Sequence, residues 1–151
     1  MTLVQVLPRL WVGTNRYAGD RSFFIKNNIR HVVNFNYDVP NYFKHITYYN
    51  VPLSSDQIRE KDIEYNMQQL FGMVNDFIIE GYRKGVGIYL HDKSGNLSAL
   101  FAAAFMIEQL KLTFNDVIRY YSIHNYSGID YIRNNSYLDA FAKQFNYSSI
   151  N

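Results

Sequence analysis

The apolar positions change period along the chain, and each change predicts an element. Leu3 to Leu7 and Leu10 to Val12 are short apolar runs hinged at Pro8-Arg9, which predicts two strands joined by a tight turn. A short helix over Arg21 to Lys26 follows, ended by Asn27-Asn28, residues that suit a left-handed helix stop. The runs His31 to Phe35 and Ile46 to Val51 predict two further strands, with Pro40 and Pro52 bounding the segment that carries the second. From Asp62 to Arg83 the period becomes helical: Ile63, Met67, Leu70, Val74, Phe77 and Ile78 form one stripe, and Gly85 and Gly87 stop it. Val86 to His91 reads as a strand. Asn96 to Leu110 is apolar nearly all round, the pattern of an interior helix. Thr113 followed by Asp116 predicts the capped start of a helix over Asn115 to Ile123, and a last helix covers Ser136 to Phe145. Early strands, late helices and a central strand-loop-helix unit predict an α/β domain with a mostly parallel, twisted sheet flanked by helices.

Composition narrows the chemistry. With no linker or repeat, residues 1–151 read as one domain, and 48% hydrophobic residues suffice for a core. The absence of cysteine excludes disulfides, thiolate zinc sites and a cysteine nucleophile. A net charge of +2 gives no electrostatic case for nucleic acid or an anionic membrane. The first residues lack the basic and apolar regions of a secretory signal. The most apolar window, Leu97 to Ile107, is shorter than the roughly 20 residues a membrane span needs. The expected location is intracellular and cytoplasmic. Fourteen Tyr against one Trp, with abundant Asn, is the bias of an A/T-rich genome and hints at a virus or protozoan; for a virus the expected location is the host cytoplasm.

The stretch Gly87-Ile88-Tyr89-Leu90-His91-Asp92-Lys93-Ser94-Gly95-Asn96-Leu97-Ser98-Ala99 is an apolar strand, a short polar loop and a buried helix. Loop amides backed by a helix N-terminus make a natural anion site. Its surroundings carry a resemblance. The strings Val6-Leu7-Pro8-Arg9-Leu10-Trp11-Val12-Gly13-Thr14, Ile29-Arg30-His31-Val32-Val33-Asn34, Tyr49-Asn50-Val51-Pro52-Leu53 and Tyr131-Ile132-Arg133-Asn134-Asn135 occur in that order. Together with the loop, they resemble the dual-specificity protein phosphatases of the cysteine-dependent family, over almost the whole chain. The resemblance implies that family's α/β fold, with Tyr131 to Asn135 at the start of its last helix.

The family's signature loop is His-Cys, two residues, Gly, two residues, Arg, then Ser or Thr. His91 and Gly95 fix the register. Asp92 then stands at the nucleophile, Ser98 at the phosphate-binding Arg and Ala99 at the hydroxyl that assists sulfur departure. The general-acid register falls on Ser55, with Asp56 one step further on, and both stay candidates. No phosphocysteine can form without the thiolate, and Ser98 offers one neutral hydroxyl in place of a planar fork. The Asp92 carboxylate can fill the cradle itself and repel phosphate. Two unit charges ~4 Å apart interact by about 4 kcal/mol at an effective dielectric near 20. A lost charged hydrogen bond forfeits about 1.5–3 kcal/mol more. Phosphate affinity is then lowered by on the order of a thousandfold.

These residues imply a pseudophosphatase without cofactor or metal, acting as a regulatory or protein-binding module. Its expected partner is a protein: a kinase, a phosphatase substrate or a second copy of the chain. Asp56, Tyr120, Tyr121 and Tyr126 are the candidate contact surface. The competing reading is a residual or metal-dependent phosphatase using Asp92 or Asp56. Aspartyl chemistry normally needs a second carboxylate two residues on, where Ser94 stands. A phosphoresidue reader is disfavoured by Asp92 and the missing Arg. His91 is expected to support the loop by hydrogen bonding, and Lys93 to be a solvated cation at its mouth.

Overall fold

The computed structural model describes residues 3–51, 53 and 64–145, with the backbone alone for 64–66. Five strands, β1 (Leu3–Leu7), β2 (Leu10–Thr14), β3 (Ile29–Asn34), β4 (Thr47–Asn50) and β5 (Gly87–Asp92), form one sheet in the order β1-β2-β5-β3-β4. Among the described residues only β1 and β2 pair antiparallel; β2-β5, β5-β3 and β3-β4 are parallel. The helices are α1 (Arg21–Lys26), α2 (Glu64–Arg83), α3 (Asn96–Leu110), α4 (Phe114–Ile123), α5 (Ile129–Arg133) and α6 (Ser136–Phe145). The expected α/β architecture with a mostly parallel sheet is the one observed.

Parallel strands in mid-sheet must be covered on both faces, and β5 shows it: all six of its residues are buried. Ile88 and Leu90 face the larger core with α2, α3, α4 and α6, while Tyr89 faces a smaller cluster with Phe23, Phe24, Ile29 and Val32. The start of β5 lies so close to the end of α1 that a Cβ at Gly87 would come within 2.4 Å of the Asn27 carbonyl oxygen. Helix α3 runs through the larger core, buried from Leu97 to Ile107, as its uniform apolarity predicts.

Local signals also resolve as chemistry. Arg9 completes the β1–β2 turn at φ +66°, and Asn28 takes the left-handed conformation after α1. Thr113 and Asp116 form a reciprocal capping box, although α4 starts one residue earlier than expected, at Phe114. In α2 the fully buried apolar side chains are Met67, Phe71, Val74 and Ile78, beside the equally buried Asn75. Phe71 belongs to the stripe, whereas Leu70 and Phe77 lie at its half-buried margins. Strand β3 begins at Ile29 rather than His31. The segment Tyr131 to Asn135 does not open the last helix: α5 ends at Arg133, and the Asn135 side chain accepts the Leu138 amide at 2.9 Å, restarting the chain as α6.

Candidate functional site

Strand β5 delivers His91 and Asp92 to the end of the sheet, and α3 begins four residues after Asp92. The chain turns at Gly95, whose φ of 84° and ψ of −8° are left-handed, a conformation that costs a side-chain-bearing residue but not glycine. Gly95 is also the N-cap of α3 and has no side chain to offer the first turn. A helix start leaves its first amides without intrahelical partners. Here they are satisfied from upstream. The Asp92 Oδ1 accepts the Ser98 amide at 3.0 Å and the Ser98 hydroxyl at 2.6 Å; Oδ2 accepts the Leu97 amide at 3.3 Å and the Ser94 hydroxyl at 3.2 Å. The Ser94 hydroxyl in turn accepts the Asn96 amide at 3.1 Å. Amides of Asn96, Leu97 and Ser98, the first three helical residues, are thus consumed internally.

Asp92 is 3% exposed, and Leu97 and Ser98 are as deeply buried. Among the described residues no Lys, Arg or His forms an ion pair with Asp92. Four donors and the positive end of the α3 dipole hold its carboxylate. The Ser98 hydroxyl donates to this carboxylate, with the Gly13 carbonyl 3.3 Å away as its other acceptor. Lys93 and Ser94 are exposed at the loop's tip.

The loop is backed by phenols. The Tyr126 hydroxyl donates to the Gly95 carbonyl at 3.1 Å, and the Tyr121 hydroxyl to the Ala99 carbonyl at 2.8 Å. Tyr121 and Tyr126 are only 1% and 4% exposed, with ring centres 5.1 Å apart. This corrects the expectation that they form a contact surface: they are internal props of the loop. Burial raises both phenols above their ordinary pKa, and the Asp92 charge adds to this at Tyr126, so both remain donors. The spacing of Val117 and Tyr121, both buried on one face of α4, was the signal available in the sequence. Tyr120 is half-buried, its hydroxyl donating to the Val6 carbonyl. Ser55 and Asp56 lie outside the described residues.

His91 is tied in by two residues that sequence patterning does not single out. Its Nδ1 lies 2.7 Å from Asn15 Oδ1, and the Asn15 amide group donates to Asn36 Oδ1 at 2.9 Å. That orientation leaves the Asn15 oxygen as acceptor, so the neutral imidazole carries its proton on Nδ1. Burial lowers His91 from 6.5 to about 4. Burial also lowers His31, which stacks on Phe77 with Glu80 and Lys84 beyond it. Both rings are neutral when folded and take up protons more readily when unfolded. The contribution of His91 is therefore complete above pH 6.5 and is lost as the pH falls toward 4, and that of His31 is lost in the same direction. His91 alone accounts for about 2–3 kcal/mol across that window. The melting temperature is expected to fall between pH 7 and pH 4.5, and less steeply in His91→Asn, which keeps a donor but does not titrate. Parallel pH profiles for the two proteins would contradict the assignment.

Among the described residues no group of three His, Asp or Glu side chains converges as a metal site, and no helix is long and apolar enough to cross a membrane. No family model matches the chain. Curated relatives do: human dual specificity protein phosphatase 9 is 26% identical over 117 residues, covering 75% of this chain and 29% of that protein. Human dual specificity protein phosphatase 7 is 27% identical over the same length, covering 75% and 26%. The chain thus spans a little over a quarter of the length of these relatives. Among solved structures, human tyrosine phosphatase-like serine/threonine/tyrosine-interacting protein superposes with a TM-score of 0.76 at 19% identity, covering 95% of both chains.

Proposed function

From these premises, a relative of the dual-specificity phosphatases that has their fold and no cysteine, we propose a pseudophosphatase: a phosphatase-fold domain that binds a protein partner and does not hydrolyse phosphate esters. The observation that carries this reading is the Asp92 carboxylate seated on the first amides of α3. Phosphoryl transfer in this fold needs a nucleophile, open amides for the phosphate oxygens and a cation opposite them. The loop supplies a carboxylate, occupied amides and a serine. Its hydrogen bonds stabilise the fold instead of a transition state.

A binding role gives this scaffold a use that needs none of those parts. The solved neighbour named as a phosphatase-like interacting protein supports that direction. The partner is a kinase, a phosphatase substrate or a second copy, met through a surface that includes Tyr120.

Incubated with an aryl phosphate and with phosphopeptides, with and without Mg²⁺, the purified protein is expected to show no turnover above a buffer blank. Turnover would overturn the inactive reading, and dependence on Mg²⁺ would assign it to Asp92. The binding half is tested by co-purification from the native cell followed by titration of the purified pair. Micromolar or tighter affinity is expected.

A further inference from the structure

Strands β3 and β4 run parallel to β5, so the ends at which they start lie away from the loop that follows β5. At that far end α1, the first residues of β3 and the segment 42–46 leading into β4 enclose a cleft of about 540 Å³. Its floor is apolar, with Phe24 and Ile29 buried and Phe43 and Ile46 half-buried. Its rim carries Arg21, Arg30, Lys44 and His45, all exposed. Among the described residues no Asp or Glu lines it. Among the described residues none of the four basic side chains is in an ion pair. The one carboxylate adjacent in sequence, Asp20, is turned inward to accept the Phe23 amide at 3.1 Å.

The charge is local to this place. The whole chain carries a net +2, and this cleft alone holds three full positive charges. Aromatic faces lie among them: the Arg21 guanidinium sits 5.7 Å from the centre of the Phe43 ring, and the Tyr42 ring, 53% exposed, lies against Gly19. The volume is that of a small-molecule site rather than of a flat protein contact. A bare anion would satisfy the cations and leave the apolar floor wet. An uncharged ring would cover the floor and leave like charges crowded around it. Two planar guanidinium groups match phosphate oxygens, and rings pair with rings.

We propose that this cleft binds a small phosphate ester joined to a planar ring, such as a nucleoside monophosphate or an aryl phosphate. The arginines and Lys44 hold the phosphate, and Tyr42 and Phe43 pack against the ring. The site is separate from the degenerate loop and stands whether or not the domain has a protein partner.

The test is an amide-resolved NMR titration of the intact protein with adenosine monophosphate and with O-phosphotyrosine. Adenosine, tyrosine and inorganic phosphate are the comparisons. At least one of the two esters is expected to bind about tenfold more tightly than inorganic phosphate. It is expected to shift amides in 21–30 and 42–46 and leave Leu97 and Ser98 in place. Arg21→Ala and Arg30→Ala, at exposed positions, are expected to weaken binding about tenfold each while the melting temperature stays within a few degrees. A preference for the nucleotide assigns the ligand to nucleosides, and the reverse preference to phosphorylated tyrosine. An equal response to inorganic phosphate, no saturation by about 10 mM, or binding that survives both arginine substitutions would overturn the proposal.

Discussion

The Asp92→Cys, Ser98→Arg double variant is expected to bind inorganic phosphate about a thousandfold more tightly than the parent chain. Three effects add. Replacing the carboxylate by a neutral thiol lifts a repulsion of about 4 kcal/mol, for charges ~4 Å apart at an effective dielectric near 20. It frees the Leu97 and Ser98 amides that Asp92 now occupies. The guanidinium then contributes charged hydrogen bonds worth about 1.5–3 kcal/mol. About 4 kcal/mol is enough for the stated change. Ser98 is fully buried, yet its hydroxyl already points along the loop at Asp92, 2.6 Å away. An arginine that follows that direction enters the cradle and not the core. Calorimetric titration with phosphate reads the result. A folded double variant that binds no better than the parent would show that the loop's register with the phosphatase signature is wrong.

Asp92→Ala alone is expected to lower the melting temperature by about 10 °C, at roughly 2–4 °C per kcal/mol for a domain of this size. The substitution leaves the buried amides of Leu97 and Ser98 without their acceptor, while the Ser98 hydroxyl turns to the Gly13 carbonyl 3.3 Å away. Each stranded buried donor costs about 1–3 kcal/mol, less where water enters. The alternative, that a buried carboxylate is a net burden relieved by its removal, requires its four donors to be worth less than its desolvation. Tens of millimolar sulfate should restore part of the loss, because an anion fits the vacated helix N-terminus. Scanning calorimetry with and without sulfate separates the cases. An unchanged melting temperature would remove Asp92 from its capping role.

Much of this was readable in the residues because the signals are local. Strand β5, the caps at Thr113 and Asn28 and the uniformly apolar α3 follow from sequence neighbours alone. The loop's register rests on His91 and Gly95, four residues apart. What escaped depends on where distant segments meet. Tyr126 is a prop because Gly95, the N-cap of α3, lies beneath it, 31 residues earlier in sequence. Asn15 orients His91 across 76 residues. An asparagine in a polar stretch has no periodicity to announce such a role. The boundary between α5 and α6 carried a local cue, Asn135 as an N-cap, which the run Tyr131 to Asn135 obscured. The basic cleft joins α1 to the segment before β4, and no window of sequence holds both.

The most direct test of the central claim follows the Leu97 and Ser98 amide signals of the unaltered protein as inorganic phosphate is added. Both are expected to stay where they are up to about 50 mM, since each proton already rests on Asp92. A saturable movement of the pair near about 1 mM would mean that the cradle is open and that the carboxylate yields to substrate.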